Sequence, residues 1–96
     1  MTMTDLELAR ALRTLRRTVQ MLETELRHGN LEEALITVID AQMERGIASE
    51  PRCAALVAKV DILRESTLTP RTELLGDTIR ACEKLRDGID EVVGRL

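Results

Sequence analysis

The residues best placed to do chemistry in this chain are its first arginines. Arg10, Arg13, Arg16 and Arg17 lie in the run "RALRTLRR". On a helix, Arg10, Arg13 and Arg17 recur at spacings of three and four, so they share one face with Arg16 at its side. A face of this kind attracts anions, whether phosphates or the carboxylates of another protein or a sister subunit. The plainer alternative is a solvated face that keeps the chain dissolved. The first twenty residues set four arginines against Asp5 and Glu7, a balance of +2, so with −3 overall the remaining 76 carry −5. Part of that negative charge forms an acidic stripe at Glu33, Asp40 and Glu44.

Other reactive residue types are few and poorly arranged. His28, the only histidine, stands in "LRHGN". A phosphotransfer histidine in a helical bundle sits mid-helix with a lysine close behind it, but Gly29 follows at once and the next lysine is Lys59. The expected role of His28 is at a helix C-terminus, where the dipole favours a protonated imidazole. Glu25 and His28 form one Glu-x-x-His, whereas a di-metal bundle needs that pair from two helices. Cys53 and Cys82 are not part of a C-x-x-C, and both fall on apolar rows, where cysteine behaves as a small hydrophobe. Glu32/Glu33 and Asp90/Glu91 are sequence neighbours, which do not face each other on a helix. There is no Gly-rich phosphate loop and no nucleophile elbow. The expectation is a chain with no catalytic site, no metal and no cofactor.

The elements that must position these residues are helices. Thr4 and Glu7 form a capping box for a first helix over 5–28, closed at Gly29. Asn30 as N-cap, with Glu33 at N3, predicts a second helix over 31–45, stopped by Gly46. Ser49, with Pro51 in the first turn, predicts a third over 50–65. Thr69 with Pro70 at N1 predicts a fourth over 70–93, which Asp87-Gly88 is placed to kink. The apolar rows are regular. Leu8, Leu12, Leu15, Val19, Leu22 and Leu26 alternate spacings of four and three, as do Cys53, Leu56, Val60, Leu63 and Leu75, Thr78, Cys82, Leu85, Ile89, Val92, Leu96. The second helix carries a wider apolar arc, Leu31, Ala34, Leu35, Ile36, Val38, Ile39 and Met43, and is expected to be buried on more than one side.

The result is an all-α, four-helix, bundle-like single domain with two long helices (the first and fourth) and two shorter ones. Helices of about 35 Å beside helices of about 25 Å leave an overhang of apolar seam that seeks a partner. With no Phe, Tyr or Trp, the core is aliphatic and small, and oligomerisation is a common remedy. A homodimer or a heterocomplex is therefore expected.

The opening "MTMTDLELAR" has no basic n-region or apolar h-region, and the longest apolar run, "CAALVA", is too short to span a bilayer. A cytoplasmic location with reduced thiols is the expectation. The function expected is that of a protein-protein interaction module that binds and regulates another protein, as antagonist, chaperone or adaptor. The partner-binding residues would be Leu8, Leu12, Leu15, Val19 and Leu22, with Arg10, Arg13 and Arg17 steering the approach. The alternative is a nucleic-acid-associated regulator using the arginine face. It is disfavoured by the acidic net charge and by the lack of aromatics for base stacking.

Overall fold

Thr4 begins the structure's longest element. Its hydroxyl accepts the Glu7 N–H at 3.2 Å, and the Glu7 carboxylate accepts the Thr4 N–H at 3.3 Å. This is the capping box the sequence predicts, and the Thr4 hydrogen bonds hold the Glu7 carboxyl below its ordinary value. In the computed structural model, which describes residues 3–68 and 75–96, the helix so opened is α1 (Asp5–Arg27). It closes on His28 and Gly29, where φ is +84°. The Gly29 N–H reaches the Leu26 carbonyl and the Asn30 N–H the Glu25 carbonyl, both at 2.9 Å. That double bond pattern is a Schellman motif.

Asn30 therefore terminates α1 and does not cap the next helix. The second helix, α2 (Glu33–Gln42), starts from Glu32 without a side-chain cap. It passes into a π-type turn, Met43–Ile47, in which the Ala48 N–H reaches back to the Met43 carbonyl at 2.8 Å. The reversal is made by Gly46 at φ +124°, and Met3 packs against it: a Cβ there would lie 3.1 Å from the Met3 Sδ. The third helix is capped one residue later than expected. Ser49 donates its hydroxyl to the Gly46 carbonyl, and it is Glu50 whose carboxylate accepts the Arg52 N–H. A 3₁₀ turn over Pro51–Cys53 then leads into α3 (Ala54–Ser66). The last helix, α4, runs from Leu75 to Gly94. The expected cap at Thr69 and Pro70 lies outside the described residues.

The four helices pack side by side, with no strand among the described residues, into a rod of 40 × 19 × 19 Å. Every member of the first apolar row, from Leu8 to Leu26, is 0–2% exposed. The rows of α3 and α4 are buried as well, save for half-buried Leu75 and Leu96 at the ends of the α4 row. No apolar seam of α1 overhangs, since its whole row is covered within the chain. The expected kink in α4 does not form. Gly88 instead lies against α3, where a Cβ would stand 3.0 Å from Leu56 Cδ2 and 2.9 Å from Lys59 Cε. The glycine admits a close approach of two helices.

In α2 the outcome is opposite to expectation. Only Ile39 is buried within it; Leu35 and Ile36 are half-covered, and Ala34 and Val38 are exposed. One side of the most apolar helix has no cover from its own chain.

Candidate protein-binding face

Partition of the arginines defines the site. Arg16 pairs with Asp90, Arg27 with Glu23 and Glu83, Arg52 with Glu50 and Asp5, and Arg64 with Asp40. Arg80, Arg86 and Arg95 pair with Asp77, Glu23 and Glu91. Among the described residues the guanidinium groups of Arg10, Arg13, Arg17 and Arg45 make no ion pair and no hydrogen bond. Three of these four are the face picked out from the sequence; Arg45 was missed.

Arg45 joins them through topology. The Gln42 side-chain amide donates to Thr18 Oγ1 at 3.0 Å, and Gly46 meets Met3. The two helices therefore run antiparallel, and the turn after α2 that carries Arg45 lies beside the N-terminal half of α1. The same register places Met21 opposite Ala34 and Leu35, where the two helices leave an open cleft of about 550 Å³. Met21, Ala34 and Leu35 supply its apolar lining; Arg17, Gln20, Thr24, Glu25 and Glu32 supply its polar one. Met21 is 51% exposed and Val38 41%. The charges separate along the face, with arginines towards the N-terminus of α1 and Glu25 and Glu32 at the far end.

The sequence-predicted residues thus divide. Leu8, Leu12, Leu15, Val19 and Leu22 are wholly covered by the chain's own helices and present nothing to a partner in this conformation. The row the sequence offered as a binding seam is the core. Arg10, Arg13 and Arg17 are exposed. Of the expected acidic stripe, Asp40 is engaged by Arg64 of α3. Met43 is core, and Met21 is surface.

The remaining reactive groups lie away from this face. Cys53 and Cys82 are free thiols at 0% exposure; burial raises both, Cys82 to about 12. Glu23 is a buried carboxylate on the flank of α1, bridged by Arg27 at 3.1 Å and Arg86 at 3.0 Å. Sequence reading missed it because it sits one step off the seam. Its Oε2 accepts from Arg27, while Oε1 faces Arg86 as an ion pair with no hydrogen bond. His28 is an exposed helix-terminal residue. Among the described residues no three His, Cys, Asp or Glu side chains cluster as metal ligands, and no helix is long and apolar enough to cross a membrane. No family model matches the chain, and no curated protein or solved structure does.

Proposed function

We propose that this chain is a non-catalytic, cytoplasmic protein-binding module that regulates its target through the outer face of α1 and α2. The observation that carries the reading is the partition of the arginines. The fold pairs seven of the eleven described arginines and leaves four unpaired; one of them, Arg17, lines a half-apolar cleft, and Arg10 and Arg13 share its exposed side of α1. Apolar surface next to unpaired charge is what a helix-binding surface offers: burial for affinity, and charge for orientation and approach rate. The apolar component of this face is not the leucine row. Met21, Ala34, Leu35 and Val38 take the place of the buried leucines.

Capture of the tagged protein's partners from its native cells, identified by mass spectrometry, tests this when run beside two variants. A genuine target is recovered in near-stoichiometric amount with wild type and lost with both Arg13→Glu/Arg17→Glu and Met21→Asp, each still helical by circular dichroism. Recovery unchanged by either variant sinks the proposal. A second reading places phosphates on the same four arginines. Four cations release few counterions, so such binding would be weak and steeply salt-dependent. The chain has no Trp or Tyr, so co-purified nucleic acid would dominate its ultraviolet spectrum and identify that case.

A further inference from the structure

We propose that two copies of this chain pair through their α1–α2 faces about a two-fold axis passing near Met21. The arginine end of each face is set against the glutamate end of the other.

The face is built for a copy of itself. Its middle is apolar, formed by Met21, Ala34, Leu35 and Val38. Its two ends carry opposite charges that no described residue neutralises. Arg10, Arg13, Arg17 and Arg45 have no ion pair, and neither do Glu25 and Glu32; Glu25 accepts only one long hydrogen bond, 3.4 Å from the Asn30 amide. At 1.5 Å per residue, Arg13 and Glu25 stand about 18 Å apart along α1, too far to pair within one chain. A two-fold axis through the apolar middle lays that middle on itself and carries each positive end onto a negative one. This is the self-complementarity that an isologous interface requires. A uniformly acidic partner would match the arginines but would meet Glu25 and Glu32 with like charge.

The same pairing accounts for α2. Its apolar arc is wider than its own chain covers, and Val38 and Ala34 point away from the core. A small aliphatic core gains from further burial. The inference rests on the same face as the proposed function, and self-pairing would keep that face covered until a target competes for it.

The test is self-association of the purified full chain, followed by sedimentation equilibrium or light scattering across protein and salt concentration. The expected result is a dimer that weakens as salt rises. Arg13→Glu/Arg17→Glu makes both ends of the face negative and gives a monomer. Glu25→Arg/Glu32→Arg makes both ends positive and also gives a monomer. An equimolar mixture of the two recovers the dimer mass, and the quadruple variant, with its ends exchanged, dimerises alone. Met21→Cys, close to the axis, forms a disulfide-linked dimer on mild oxidation. Circular dichroism confirms that each variant remains folded.

The proposal is overturned if wild type stays monomeric to millimolar concentration. A dimer indifferent to the charge reversals overturns it, as does a mixture that stays monomeric. These measurements contain no target. Their failure leaves target capture standing, and failure of capture leaves the dimer standing.

Discussion

Arg16 lays its guanidinium on Asp90, Nε to Oδ1 at 2.8 Å and Nη2 to Oδ2 at 3.4 Å, and so ties α1 to α4. Arg17, one residue on, turns to the other side of α1 and lines the cleft with α2. One step of sequence separates an arginine that serves the fold from one available to a partner. Arg16→Ala is therefore expected to leave target capture and self-association unchanged and to lower the melting temperature slightly, as loss of an exposed ion pair does. Arg17→Ala should do the reverse, weakening association while leaving unchanged the melting temperature of protein dilute enough to be monomeric. Thermal melts and binding isotherms of the two variants together check the division; equal effects on both readouts would refute it.

The leucine row of α1 gives the opposite pattern. Leu15 and Leu22 are 0% exposed, so Leu15→Ala should cost about 2–5 kcal/mol. Leu15→Asp with Leu22→Asp should leave no folded protein, because each buried carboxylate would lack a partner. Circular dichroism at 25 °C reads this directly. A folded double variant that had lost only its binding would return the row to the surface and contradict the burial described above.

The sequence carried the helical rows and the caps of α1 because these depend on neighbours three and four residues apart. Leu8 to Leu26 alternate in the rhythm of a buried stripe, and Thr4 with Glu7 satisfies its own end of the helix. Tertiary choices were not legible. The apolar arc of α2 reads alike whether its own chain or another covers Val38. Helical phase sets Arg16 beside the face that Arg17 shares, but that Asp90 on α4 engages Arg16 could not be read from the sequence. Asn30 and Ser49 both have good cap chemistry. Asn30 closes the Schellman turn of α1, with α2 starting two residues later from Glu32, and the N–H of Arg52 is taken by Glu50 in place of Ser49.

Gly88 tests the closeness of α3 and α4. Alanine ordinarily gains about 1 kcal/mol over glycine inside a helix. Here its Cβ would press on Leu56, which is fully buried, and on the stem of Lys59. Overpacking of a filled core costs about 1–3 kcal/mol, so Gly88→Ala is expected to lower the melting temperature. Gly76→Ala, which meets only Arg80 Nη1 at 3.9 Å, should not. A gain in stability at Gly88 would mean that the helices separate freely.

The thiols give a prediction at alkaline pH. Burial lifts Cys82 to about 12 and raises Cys53 as well. An unfolded cysteine ionises near pH 8.5. A raised folded value means that the native state holds its proton more tightly. The resulting stability is whole below about pH 8.5 and declines as pH rises from there towards 12. Native protein at pH 8 should therefore resist alkylation by iodoacetamide, take up two equivalents once unfolded, and melt at progressively lower temperature above pH 9. Cys82→Ala should flatten part of that alkaline decline. Rapid labelling of the native protein would show that the core opens.

Glu50 works in the other direction. Its side chain is 2% exposed and accepts Arg52 Nε at 2.9 Å and the Arg52 N–H at 3.4 Å. The Arg52 side-chain bond, more than any other contact, holds the carboxyl below its ordinary value. An unfolded glutamate titrates near pH 4.3. With the folded value lower, unfolding takes up a proton in this window, so the contribution of Glu50 is complete above about pH 4.3 and is lost as pH falls through the folded value. Glu50→Gln keeps the shape and removes the charge, while Arg52 retains Asp5. The variant should melt below wild type at pH 7, and the gap should close as pH is lowered towards 3. A gap constant across that range would assign the role of Glu50 to packing and leave the Arg52 bond without effect on stability.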